Sequence, residues 1–267
     1  MKLKTDKKMK RITVCAAVCM IAGVVFLAVN LIAYFDGVME ADRLKNLSAT
    51  ARAETAWPAP AEKELTPAAP GDAIEPETAA PMSVLPKYEK LLELNDEVSG
   101  WIKIDGTRID YPFLQHRDND YYLHTNIENK KSVRGCVYID YRNDRELKNK
   151  NTLVYGHNMK DGSMFKDLVR YKNKDFFNLH GIIHMDSLYE ESDWQVFSVY
   201  VVDADKETID PDYPDEESFI KELNRFKDRS MYKTDIQLSS NDRVITLVTC
   251  SYETKNSRTI VHAKHID

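Results

Sequence analysis

Seven of the ten prolines fall between Thr50 and Pro86 (Pro58, Pro60, Pro67, Pro70, Pro76, Pro81 and Pro86), with alanines filling much of the space between them. A stretch of this composition loses a backbone donor at every ring and carries too few large apolar side chains to bury a core. It behaves as an extended, semi-rigid spacer. No fold runs across it, so the 267 residues are organised in pieces on either side. The pieces are a basic tail at 1–11, an apolar segment at 12–35, a stalk and linker at 36–82, and a folded domain at 83–267.

In the tail, Lys2, Lys4, Lys7, Lys8, Lys10 and Arg11 stand against Asp6 alone, giving +5 in a chain whose net charge is -6 and leaving -11 on the rest. An acidic body excludes nucleic acid as a partner, because phosphate binding displaces counterions and needs a basic face. Ile12 to Phe35 is almost wholly apolar and, at about 24 residues, long enough to span a bilayer with some tilt. A cleaved signal peptide has a shorter apolar core, ~7–15 residues, with a small-residue cleavage site close behind it. The nearest such site, Ala51-Arg52-Ala53, lies too far downstream. The expectation is an uncleaved, single-pass membrane anchor. Basic residues before it and Asp36, Glu40 and Asp42 after it put the N-terminus in the cytoplasm and residues 83–267 outside the cell.

The folded part opens with Tyr88, Leu91, Leu92 and Asn95 at helical spacing, a short amphipathic helix ending before Gly100. Trp101–Ile104 and Thr107–Leu114 read as strands around an Asp105-Gly106 turn. Further strands are expected at Gly135–Ile139, Asn151–Tyr155, Ile182–Met185 and Trp194–Val202. One helix interrupts them late, Asp215–Asp228, with Phe219, Ile220, Leu223 and Phe226 as its apolar stripe and acidic residues at its N-terminal dipole. Many short strands without a βαβ rhythm argue for a mostly antiparallel β-barrel with helical decorations.

The most chemically suggestive stretch is Arg243–Lys264, RVITLVTCSYETKNSRTIVHAK. An aliphatic, β-branched run stops at Cys250; after a polar loop with an Asn256-Ser257 turn, a second run begins directly behind Arg258. Paired as an antiparallel hairpin, the two runs make Cys250 and Arg258 cross-strand neighbours. A fixed cation beside a thiol favours thiolate and can hold an oxyanion. Earlier, in Asn151–Lys160 (NTLVYGHNMK), His157 stands where a strand leaves the sheet; Asp161-Gly162 then turns the chain, and Ser163 caps a helix at Met164–Tyr171. Each residue alone has a blander reading. A strand-end cysteine is usually a small core hydrophobe, a loop histidine is usually structural, and Thr249 is simply the last residue of its strand.

Together the thiol, imidazole and guanidinium are what cysteine-dependent acyl transfer requires. Cys15 and Cys19 lie in the apolar segment and Cys136 in a strand; one disulfide is open to Cys136 and Cys250, but no disulfide framework exists. The other histidines show no metal spacing, and Gly181 with its β-branched neighbours sets His180 and His184 on a strand, against a zinc site. Asp210, Asp212, Asp215, Glu216 and Glu217 lack EF-hand spacing for calcium. No metal or cofactor is expected.

The segments TLVYGHNMKDGSMFKDL (Thr152–Leu168), ITLVTC (Ile245–Cys250) and SRTIVHAK (Ser257–Lys264) closely resemble class B sortases, membrane-anchored cysteine transpeptidases of Gram-positive bacteria. The resemblance runs over roughly Leu85 to Ile266. It implies a closed antiparallel or mixed β-barrel with an N-terminal helix and a long helix before the Cys strand. It also implies that Cys250 attacks the Thr carbonyl of a C-terminal sorting signal (NPxTx or LPxTG-like) on a secreted protein. His157 is then the acid and base, and Arg258, with the backbone N–H of Ser251, steadies the oxyanion. Thr249 is a candidate for positioning. Val248 stands where class B members often carry Ser, which bears on the substrate groove. The acceptor amine is on a lipid-linked peptidoglycan precursor or a cross-bridge. Three alternatives stay open on the residues: pilin polymerisation onto a Lys side chain, a Cys–His hydrolase, and an anchored binding module without catalysis.

Overall fold

Short runs of aliphatic and β-branched residues dominate the chain after residue 97, and they form strands β1 (Val98–Lys103), β2 (Asp110–Leu114), β3 (Val137–Ile139), β4 (Asn151–Tyr155), β5 (Ile182–Ser187), β6 (Asp193–Asp203), β7 (Val244–Cys250) and β8 (Ser257–Ile266). These close into a barrel in the order β1-β2-β3-β4-β7-β8-β6-β5. The computed structural model describes residues 2–54, 83–250 and 256–266, and the chain divides into two compact units, Met1–Arg43 and Leu44–Asp267.

The barrel is mostly antiparallel, as expected, with two parallel joins: β2 pairs with β3, and β4 with β7, in parallel. Parallel neighbours need long crossovers. The chain supplies them between Leu114 and Val137 and between Tyr155 and Val244. Pleat alternation turns Val154, Ile245, Leu247, Val261 and Ala263 into the barrel core. The outward face of the same strands, with Leu153, Val244 and Ile260, packs together with Phe197 of β6 under a helix carrying Phe219, Leu223 and Phe226. That double coverage is why β7 reads as a continuous apolar run.

Helix α1 spans Lys2–Glu54. Its apolar side chains at Val14, Phe26 and Ile32 are exposed. Among the described residues no helix is long and apolar enough to cross a membrane, so the structure does not show the anchor expected over 12–35. Most of the Pro-Ala-rich linker lies outside the described residues. Helix α2 (Glu89–Leu94) follows a 3-10 turn at Pro86–Tyr88 and buries Leu91. Two helices went unforeseen, α3 (Tyr121–His124) and α4 (Lys174–Leu179), because each is too short to display a period. The segment after His157 is a 3-10 helix at Phe165–Lys172 with no side-chain cap. Ser163 does not cap it; its N–H and Oγ–H both donate to Asp161 Oδ1 instead. Helix α5 (Glu216–Arg229) lies one residue from its expected range, and Asp215 caps it by accepting from Ser218 N at 2.7 Å.

His262 is fully buried between the sheet and α5, stacked on Phe226 with centroids 3.9 Å apart. Thr246 donates its hydroxyl to Asn151 Oδ1, so it accepts from His262 Nδ1–H, and Tyr200 donates to Nε2. The neutral ring is satisfied at both nitrogens. Burial, reinforced by Arg225 and Arg229, holds its pKa well below 6.5. The unfolded chain therefore takes up the proton first. Stability is unaffected above ~6.5 and falls below it, by up to about 1.4 kcal/mol per pH unit. Thermal melts from pH 7.5 to 5 are expected to show this slope, and His262→Gln, starting from a lower Tm, to lack it; equal slopes would refute the assignment.

Candidate active site

Three strand ends meet at one rim of the barrel. The antiparallel β7–β8 ladder runs from Val244↔Lys264 to its last pair, Cys250↔Arg258. On the other side of β7, the parallel β4 ladder reaches Tyr155↔Val248, and Gly156 N donates to Val248 O at 3.2 Å. Two residues further on, His157 comes level with Cys250. Residues 157, 250 and 258 thus lie on three adjacent strand ends at one rim of the barrel, although they are 93 and 8 positions apart in the chain.

The row is braced from both sides. Thr249 turns inward, 2% exposed, and donates its hydroxyl to Gly156 O at 2.7 Å. Asn158 Nδ2 donates to Cys250 O at 2.7 Å. Gly156 must be a glycine, since a Cβ there would lie 2.6 Å from the Phe165 ring. Phe165 N donates to His157 O at 2.9 Å, closing the loop behind the histidine. The half-buried His157 ring places Nε2 2.9 Å from Leu123 O. A carbonyl only accepts, so Nε2 carries the hydrogen and Nδ1 is left to take or give a proton.

Cys250 is a partly exposed free thiol. Cys136 is free as well, buried, with Sγ 3.4 Å from Thr125 O. It immediately precedes β3, two strands away across β4, which at ~4.8 Å per strand is about 9.6 Å. That exceeds the ~7 Å reach of a disulfide. The bridge left open by the sequence is not formed.

Beside the row, a cavity of about 270 Å³ is floored by Leu153, Val248, Ile260, Val202 and Ile209, with Arg258 and Arg142 among its charged walls. Val248 therefore lines the groove, whereas Thr249 faces away from it and acts on the strand ends. Ser251 lies outside the described residues. Two larger cavities, about 520 and 510 Å³, open near β5 away from the thiol; in the first, Lys87 pairs with Asp186 and Glu191. Among the described residues no group of three or more His, Cys, Asp or Glu side chains is placed to hold a metal ion.

Sequence reasoning missed four contributors. Tyr155 shares the outward face two residues before His157, a period-2 signal that was available. Asn158 follows His157 directly in the quoted motif. Tyr138 pairs with Tyr155, ring centroids 5.3 Å apart. Burial and then Asp140 push its phenol above the ordinary range, and Cys250 and Arg258 lie near enough to act on it with opposite signs. The Leu123 carbonyl left no trace in the sequence.

A closed barrel with a thiol, an imidazole and a guanidinium on adjacent strand ends of one rim has the parts of a cysteine-dependent acyl-transfer enzyme. The family model for the sortase domain matches residues 102–266. Sortase B of Listeria monocytogenes is 44% identical over 163 residues, covering 61% of this chain and 66% of that protein. Sortase B of Staphylococcus aureus is 34% identical over 185 residues, covering 68% and 76%. Among solved structures, sortase B from Bacillus anthracis superposes with TM-score 0.65 at 38% identity, over 69% of this chain and 86% of that one. Sortase B from Clostridium perfringens gives 0.64 at 38%, over 67% and 98%. The chain belongs to the sortase family, whose members are cell-envelope cysteine transpeptidases that join sorting-signal substrates to cell-wall amines and so anchor surface proteins.

Proposed function

We propose that Cys250 thiolate attacks the Thr carbonyl of an NPxTx or LPxTG-like signal near the C-terminus of a secreted protein. The carbon–sulfur bond forms, the carbonyl electrons move onto oxygen, and Arg258 holds that oxyanion. The peptide C–N bond then breaks as His157 imidazolium gives its proton to the departing amine. An amine from a lipid-linked peptidoglycan precursor or cross-bridge attacks the thioester, neutral His157 takes its proton, and Cys250 leaves as thiolate. Val248, Ile260, Ile209 and the rest of the apolar floor suit the uncharged side chains of the signal, and Val248, being larger and less polar than Ser, favours an aliphatic contact there. The single observation that supports this reading most is the row His157–Cys250–Arg258 beside that groove.

The apolar run at 12–35, with a basic tail before it, supports an N-terminal membrane tether with the stalk at 36–82 lifting the catalytic domain at 83–267 from the outer face. Tethering raises the local concentration of a lipid-linked acceptor without any new contact. The test is intact-mass spectrometry of the full chain with a small library of sorting peptides, with and without an amine. The expected result is a thioacyl mass increase on Cys250 that amine resolves to a peptide–amine product. An adduct released only by water would replace transpeptidation with hydrolysis, and the absence of any adduct would remove the acyl-enzyme altogether.

A further inference from the structure

The carbonyl that meets His157 Nε2 belongs to none of the barrel strands. Leu123 sits on α3, a single helical turn, and one turn has no stability of its own in water. Its position is imposed from outside. Asp118 Oδ1 starts the turn by accepting from Asp120 N and Tyr121 N, both at 2.9 Å. Tyr122, 1% exposed, donates its hydroxyl to Glu97 Oε2 at 2.6 Å and accepts from Asn95 Nδ2 at 3.1 Å. Burial, followed by Glu97, holds the phenol far above its ordinary pKa, so the proton stays on Tyr122. The other Glu97 oxygen lies 2.7 Å from His116 Nδ1, and the His116 ring stacks on Tyr121 at 4.2 Å. Below the turn, Cys136 N donates to Tyr122 O at 2.9 Å. Gly135, at φ +57°, leaves room for the carbonyls; a Cβ there would lie 2.1 Å from Tyr122 O and 2.9 Å from Leu123 O.

We infer that Tyr122 and Glu97 are positioning residues for the reaction: they clamp α3 so that the Leu123 carbonyl keeps His157 in its Nε2–H tautomer and aims Nδ1 at the exchanging proton. In Ser-His-Asp sites a carboxylate fixes the tautomer of the base. Here no carboxylate among the described residues hydrogen-bonds the ring, and a main-chain oxygen takes that place. A backbone acceptor has no side chain of its own to orient it, so its precision comes from the part-buried Tyr122–Glu97 bond. The inference rests on His157 being the acid and base of the proposed function.

The experiment uses the full chain, comparing wild type with Tyr122→Phe, Glu97→Ala and Glu97→Gln. Nitrogen-15 NMR of the His157 ring at pH 8 reports which nitrogen carries the hydrogen; Tm reports folding; steady-state assays separate kcat from KM. The expected wild-type signal is Nε2–H. Tyr122→Phe and Glu97→Ala are expected to give a tautomer mixture with kcat lowered about tenfold and KM within about twofold. Glu97→Gln, which keeps an acceptor for the phenol, is expected to hold the wild-type tautomer. Should Tyr122→Phe fail to fold, the Glu97 pair carries the comparison. A wild-type Nδ1–H signal, or folded Tyr122→Phe and Glu97→Ala variants with an unchanged tautomer, overturns the inference. A wild-type chain that forms no thioacyl adduct fails the functional reading instead, and the NMR signal tells the two failures apart.

Discussion

Cys250→Ala is expected to form no thioacyl adduct and to lose at least ~10⁴-fold in turnover, because no other group in the cleft can replace a covalent nucleophile. Cys136 cannot substitute: it is buried, its Sγ is 3.4 Å from Thr125 O, and β4 stands between it and the cleft. The fold should tolerate the change. Cys250 is the last residue of β7, partly exposed, and the bonds that pin this end run through the Thr249 hydroxyl and the Cys250 main-chain carbonyl, which alanine keeps. The check is peptide cleavage followed by chromatography, beside intact mass and a melt. Residual cleavage within tenfold of wild type would remove Cys250 from the reaction.

Arg258→Lys is expected to lower kcat by about 10²–10³-fold while leaving the barrel folded, the loss seen when a preorganised oxyanion donor is removed. Charge is conserved in this variant, so a purely electrostatic role would cost far less. The guanidinium differs in being a planar fork with fixed donor directions, whereas an ammonium is a point charge on a flexible stem. Arg258 is oriented by its place opposite Cys250 and by NH1 donating to Ser257 O at 3.1 Å. A lysine in the same register has no rigid fork with which to hold that carbonyl and the substrate oxygen in fixed directions. A kcat within fivefold of wild type would show that the cation at this place acts only through its charge.

Much of this architecture was legible because it rests on local pattern. The β-branched run ending at Cys250, the turn before Arg258 and the striped, acid-led helix read at 215–228 and found at 216–229 each carry their signal within a few residues. Even the pairing of Cys250 with Arg258 follows from a hairpin, the most local of sheet contacts. Elements without a period escaped: α3 and α4 are four and six residues long. The parallel joins also escaped, since a crossover between Tyr155 and Val244 leaves no trace in the composition of either strand.

From the sequence came the chemistry at hand: one thiol, one imidazole and one guanidinium at strand ends, and the motifs that place them in a known family. Local propensity and residue type encode such things directly. The parallel β4–β7 register, which sets His157 level with Cys250, and the Leu123 carbonyl that determines which ring nitrogen is free were decided only in the tertiary structure. Contacts between segments dozens of residues apart depend on how the whole barrel closes, and no short stretch of chain contains that information.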